Sequence, residues 1–266
     1  MKQYDAIIIG FGKGGKKLAA ELAGRNWKVA IVERSPHMYG GTCVNVGCIP
    51  TKSLIHESEY AEKRFYNDYP NQSKLYAQAV GRKDKLVSFL REKNYENVKN
   101  NPNITLYDGT ASFLSGDTVK VTSDKEETVL KGKEIFINTG ATPVLPAIEG
   151  IADSKYVYTS ETLLGLDKLP TQLLIIGGGA IGLEFATMYA GFGSQVTLLE
   201  AGSRFLSKVD RDIATSMLES LERKGIQVRL NARIQSAYDT AEGITLTYTD
   251  SSDGTPYYLK GDALLL

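Results

Sequence analysis

One pattern occurs twice in this chain and restricts the fold more than anything else in the sequence. The apolar run from Tyr4 to Ile9 leads into Gly10-Phe11-Gly12-Lys13-Gly14-Gly15, a helical stretch, and a second apolar run, Lys28 to Val32, closed by Glu33. Far downstream, Leu173 to Ile176 leads into Gly177-Gly178-Gly179-Ala180-Ile181-Gly182. A helical stretch through Ala190 follows, then Gln195 to Leu199, closed by Glu200. In both copies 23 positions separate the first glycine from the acid. A glycine triplet alone is weak evidence. Strand, glycine turn, helix, strand and terminal acid in that order describe a βαβ nucleotide-binding unit. Gly10 and Gly177 allow the tight turn. Gly12 and Gly179 let the backbone approach a pyrophosphate lying on the helix N-terminus, where unpaired N–H groups favour an anion. Gly15 and Gly182 bring helix close to strand, and Glu33 and Glu200 offer carboxylates to ribose hydroxyls. The expectation is an α/β protein with two doubly wound domains, 1–146 and 147–266.

A chain of 266 residues can bury two such cores, and its 42% hydrophobic and 23% charged content is ordinary for a soluble protein. Basic and acidic residues balance at 31 each, so neither a nucleic acid nor a membrane surface is an expected partner. The opening MKQYDAIIIG runs straight into a strand, leaving no room for a leader. No apolar run approaches the roughly 20 residues of a membrane span, so cytoplasmic residence is expected. Between the two glycine patterns, Ser53 to Asn100 reads as helix, with Leu75, Ala79, Leu86, Phe89 and Leu90 at helical intervals. Ile104 to Val129 alternates and carries turn signals, which predicts a β-meander with a solvated acidic tip at Asp124 to Glu127. Glu134 to Asn138 reads as a strand closed by Thr139-Gly140. Pro143 to Gly150 reads as a linker.

The only two cysteines are Cys43 and Cys48. A secreted disulfide scaffold would carry more of them, and His37 and His56 complete no obvious metal set, so no metal site is expected. Two buried apolar fillers remain the plain alternative to a redox pair. Both histidines read as surface or loop residues.

The segment Gly40-Gly41-Thr42-Cys43-Val44-Asn45-Val46-Gly47-Cys48-Ile49-Pro50-Thr51-Lys52 resembles the GGTCxNxGCxPxK signature of the pyridine nucleotide–disulfide oxidoreductases, and the resemblance covers essentially the whole chain. Those enzymes include dihydrolipoamide dehydrogenase, glutathione reductase and mercuric reductase. Ile9-Gly10-Phe11-Gly12-Lys13 and Met38-Tyr39-Gly40-Gly41-Thr42-Cys43 look most like the reactive-chlorine-resistance branch, associated with metal-ion reduction. The resemblance implies FAD in the first domain and a nicotinamide nucleotide in the second. Electrons would pass through a Cys43–Cys48 disulfide to a disulfide or metal-ion substrate. It makes Cys48 the thiol beside the flavin and Cys43 the interchange thiol. It places Lys52 near flavin N5, paired with Glu184 so as to tie the two domains together. Gly41, Thr42, Gly109, Ala111, Thr139 and Gly140 would touch FAD, while Gly14 and Ile181 fall within the two fingerprints. A helix beginning near Cys43 would set both sulfurs at its positive end and favour thiolate.

A nucleotide 2′-phosphate against Glu200 would meet a like charge at about 1 kcal/mol or more, which favours NADH over NADPH. The arginines of NADP-specific relatives are replaced by Ala201 and Ser207, although Arg204 lies nearby. Ala180 stands where glutathione reductase has a tyrosine gate. Relatives continue past this point with a return strand of the FAD fold and a dimerisation domain. By that comparison the FAD fold is expected to be incomplete, the dimer domain absent, and the full-length protein a homodimer. Two other readings stay open: a truncated nucleotide-binding module without turnover, and a thiol redox sensor.

Overall fold

The apolar runs form strands and the glycine patterns open helices, as a computed structural model of the chain shows for residues 1–124 and 126–266. Contacts divide these residues into two compact units, 1–50 with 84–142, and 51–83 with 143–266.

In the first unit β1 (Lys2–Ile9) leads through the glycine turn into α1 (Lys13–Gly24) and β2 (Val29–Glu33). The short α2 (Thr42–Asn45) carries Cys43. Then come α3 (Cys48–Arg64) and α4 (Tyr69–Lys99), whose residues are divided between the two units, and β3 (Ile104–Asp108), β4 (Thr110–Phe113), β5 (Thr118–Thr122) and β6 (Glu127–Ile137) complete the sheet. The strand order is β3-β2-β1-β6-β5-β4. The first four strands are parallel, with Ile7 opposite Ala30 and Ile135, and the β4-β5-β6 edge is antiparallel. Ile8, Phe11, Ala19, Val29 and Ile31 build the core on the α1 side. Ile7, Ala30, Val32, Val119 and Leu130 build it on the other.

The second unit repeats the plan. It contains β7 (Val157–Tyr158), β8 (Gln172–Ile176), α5 (Ala180–Gly191), β9 (Gln195–Leu199), α6 (Arg211–Arg223) and β10 (Gln227–Arg229). A separate antiparallel sheet follows, of β11 (Ala232–Asp239), β12 (Ile244–Asp250) and β13 (Pro256–Gly261), before β14 (Ala263–Leu265) returns to the parallel sheet. The parallel order is β10-β9-β8-β14-β7, so the first four positions match β3-β2-β1-β6.

Two strand expectations need correction. Ile104 to Asp108 is a parallel strand of the main sheet, so only β4 to β6 form the meander. Glu134 to Asn138 is not a strand of its own, since β6 is one strand that reaches from the hairpin to β1. On α4, Leu86 and Phe89 are exposed, and the buried stripe is Tyr76, Ala79, Val80 and Val87. Contacts group 51–83 with the second unit, across the expected division near residue 146. Leu54, Ala61, Tyr76 and Ala79 share a core with Phe185, Tyr189 and Phe192, so this helical segment groups with the second unit. The expected acidic tip includes Lys125, which lies outside the described residues, and its neighbours Asp124, Glu126 and Glu127 are exposed.

Candidate functional site

The two glycine turns superpose bond for bond in their hydrogen-bond pattern. Gly10 and Gly177 adopt φ of +108° and +105°. Their N–H groups donate to Val32 O and Leu199 O, both at 2.8 Å. Each is followed by a 12-residue helix capped by an extended glycine, Gly12 or Gly179. A Cβ on Gly15 would lie 2.5 Å from Gly10 O, and one on Gly182 would lie 2.1 Å from Gly177 O. The third glycine of each pattern therefore sets the helix-to-strand distance.

The acids share the symmetry. Glu33 accepts from Phe11 N–H at 2.9 Å and from Ser35 N–H at 3.1 Å. Glu200 accepts from Gly178 N–H at 2.9 Å and from Gly202 N–H at 2.8 Å. Each carboxylate thus braces its own glycine loop, a use the sequence did not suggest. An ionised carboxylate has about four acceptor positions, so room remains for ribose hydroxyls.

In the first unit a cavity of about 390 Å³ is lined by Gly10, Glu33, Gly109, Ala111, Thr139 and Gly140 among others. Six residues named from scattered parts of the sequence therefore meet in one cleft. Arg34 also lines it and was not anticipated. Nor was Asn138, whose Nδ2 donates to Gly10 O at 3.1 Å and whose side chain lies against Gly12, Gly14 and Gly15. Its only sequence signal is its place just before Thr139-Gly140.

The cysteine turn packs on the same glycine loop. Gly40 N–H donates to Phe11 O at 3.1 Å, and a Cβ on Gly41 would lie 2.6 Å from Gly12 Cα. Gly41 also has a φ of +77°, so both space and backbone require glycine there. Tyr39, just before, stacks on Tyr95 with centroids 5.3 Å apart and donates to Asp108. The single helix expected from Cys43 is broken. The chain makes one turn at Thr42–Asn45 and restarts at Cys48, so each sulfur lies in the first turn of its own helix. The break falls at Gly47, where a Cβ would crowd Thr42 O at 3.0 Å. Both cysteines carry free thiols; Cys43 is half-buried and Cys48 exposed, which excludes a pair of apolar fillers. A hydrogen bond with Cys48, then burial, push the Cys43 thiol above its ordinary value, while the Lys13 charge pulls it back. Thr42 is exposed at the start of α2.

In the second unit Lys52 donates to Glu184 Oε1, from α3 to α5. The pair forms as expected, but both partners belong to this unit, because α3 beyond Pro50 packs with it. It therefore does not tie the two units together. Ile181 is exposed on the first turn of α5, and His37 and His56 are exposed. Among the described residues no group of three or more His, Cys, Asp or Glu is placed to hold a metal ion, and no helix is long and apolar enough to cross a membrane.

Residues 4–266 match the family described as pyridine nucleotide-disulphide oxidoreductase. The chain belongs to this family. Among its members, the probable pyridine nucleotide-disulfide oxidoreductase RclA of Escherichia coli K12 is 46% identical over 235 residues, covering 88% of this chain and 51% of that protein. The mercuric reductase of Lysinibacillus sphaericus is 34% identical, covering 99% and 47%. A solved structure, the Cu(II) complex of HOCl-induced flavoprotein disulfide reductase RclA from E. coli, superposes with a TM-score of 0.89 at 42% identity, covering 100% of this chain and 56% of that one. The chain spans about half the length of these family members.

Proposed function

We propose that this chain is the nucleotide-binding and redox portion of an FAD-dependent NAD(P)H oxidoreductase that delivers electrons through Cys43 and Cys48 to a disulfide or metal-ion acceptor. The observation that carries this reading is the thiol pair, in mutual contact and packed through Gly40 and Gly41 onto the first glycine loop. The first domain, 1–146, is read as the FAD fold and the second, 147–266, as the NAD(P) fold. A cytoplasmic homodimer is the expected form of the whole protein.

The residues fit FAD. Gly10, Gly12 and Gly41 let the loop pack against Asn138 and against itself where a Cβ would collide, and the Glu33 cleft beside it ends at Gly109, Ala111, Thr139 and Gly140. When bound, FAD supplies a two-electron relay between nicotinamide and sulfur. The chain's own chemistry is thiol exchange. The Cys43 thiolate attacks one sulfur of a substrate disulfide, giving a mixed disulfide and one thiolate. Cys48 then attacks Cys43 Sγ, releases the second thiolate, and closes the Cys43–Cys48 disulfide. Lys52, held by Glu184, places a cation one helical turn beyond Cys48. With FAD and NADH supplied to the oxidised chain, two new thiols per chain are expected by thiol titration. None appearing, while nucleotide still binds, would favour a module without turnover.

Lys52 and Glu184 are 67% and 26% exposed, so their pair contributes little to stability. Lys52→Met is expected to leave the thermal midpoint within about 2 °C. It should slow NADH-driven FAD reduction about tenfold in stopped flow.

NADH is the favoured nucleotide, since Glu200 is held in place by Gly178 and Gly202. Glu200→Gln keeps an acceptor oxygen and removes the charge. Calorimetric titration should show the preference for NADH over NADPH falling about fivefold, the equivalent of about 1 kcal/mol.

A further inference from the structure

The first two turns of α1 carry three lysines, Lys13, Lys16 and Lys17, none of them used by the chemistry above. Lys16 is half-buried, and its Nζ donates to Asn94 Oδ1 on α4. Asn94 is itself anchored, donating through Nδ2 to Leu90 O at 2.6 Å, and its amide lies where a Cβ on Gly40 would be 2.8 Å away. One helical turn earlier, Arg91 Nε donates to Asn45 Oδ1 at 2.8 Å. Asn45 Nδ2 in turn donates to Tyr39 O at 3.1 Å and Gly41 O at 2.9 Å. The turn that bears Cys43 is thus held on the glycine loop before α1 and by α4 through the Arg91–Asn45 bond, with Asn94 packed against Gly40.

We propose that Lys16, with Lys13 beside it, is a positioning residue that stabilises the Cys43 thiolate by holding positive charge at a fixed place next to the sulfur. The geometry gives Lys16 one anchored partner, and that partner touches the thiol turn. Electrostatics agree: the Cys43 charge acts to raise Lys16, and Lys13 acts to lower Cys43. Burial, the largest influence on Lys16, lowers it, as do Lys13 and Lys17. The groups bearing on Cys43 are Cys48 at the start of α3 and Lys13 on α1; the Cys43 charge in turn bears on Lys16, and Arg91 on α4 reaches the same turn by its bond to Asn45. Cys48 and burial push the thiol up, and Lys13 opposes them.

The inference rests on reading Cys43 as a redox thiol, but its test reads the thiolate directly, so a chain without nicotinamide turnover is still informative. In a Cys48→Ser background only one thiol remains, and its alkylation by iodoacetamide is followed by mass across pH. Lys16→Met should move the midpoint up by about 0.5 unit and slow alkylation about threefold at neutral pH. The Lys13→Met/Lys16→Met double variant should move it further, and Lys16→Arg should keep the parent profile. Added salt should slow the parent and leave the double variant little changed. A folded double variant, checked by circular dichroism, that matches the parent midpoint and rate would overturn the proposal. Should the methionine variants not fold, the parent's salt response decides: slowing supports the charge role, and no slowing ends it.

Discussion

Cys48→Ser will stop the chain after one half of its thiol exchange. The reduced parent, mixed with a chromogenic aromatic disulfide, should release two thiolates per chain and finish with a Cys43–Cys48 disulfide. The variant should release one and retain a mixed disulfide on Cys43, visible as a mass increase of half the reagent. No second sulfur is available, because these two are the only cysteines in the sequence. Turnover with NADH and FAD should fall on the order of 10³-fold or more, as for other covalent nucleophiles that work as a unit. Flavin binding should persist, since Cys48 is exposed and supports no core. Release of two thiolates by the variant would contradict the two-sulfur mechanism.

A second large effect separates two glycines of one turn. Gly182→Val places a Cβ 2.1 Å from the backbone oxygen of Gly177, and backbone cannot step aside as a flexible side chain would. Overpacking of this kind costs about 3 kcal/mol, or roughly 6–12 °C in thermal midpoint for a unit of this size. Gly179→Ala meets nothing within 4 Å and keeps an ordinary extended backbone at φ −78°. Its thermal midpoint should hold while NADH affinity falls at least about tenfold, because the added methyl would occupy the pyrophosphate's approach. Equal loss of stability in both variants would show that Gly179 is kept for folding and not for a nucleotide.

The contrast explains what the sequence could reveal. Glycine patterns are legible because they report local backbone demands, and those demands recur at Gly10 and Gly177 almost to the degree. The cleft residues were legible one at a time through family resemblance, from Glu33 to Gly140. Their supports were not. Asn138 and Arg91 act through single side-chain bonds to distant turns, and Asn94 through one from Lys16 on α1, and such bonds leave no periodic trace. On α4 the apolar spacing marked a helix but not its buried face, which Tyr76, Ala79 and Val80 form, with Lys83 buried alongside and donating to Leu164 O. The β11–β13 sheet was overlooked although Ile244, Leu246 and Tyr248 alternate in sequence and in burial. A shift of register between Ile234 and Ser236 blurs the same alternation in β11.

The tethering of Glu33 and Glu200 at both oxygens reaches beyond stability. An acceptor already fixed by two amides has little freedom left to surrender when a sugar docks, so the ordering cost falls on folding and not on association. Each nucleotide would meet a rigid receptor, and occupancy should leave the loop's amide-exchange protection nearly as it was beforehand.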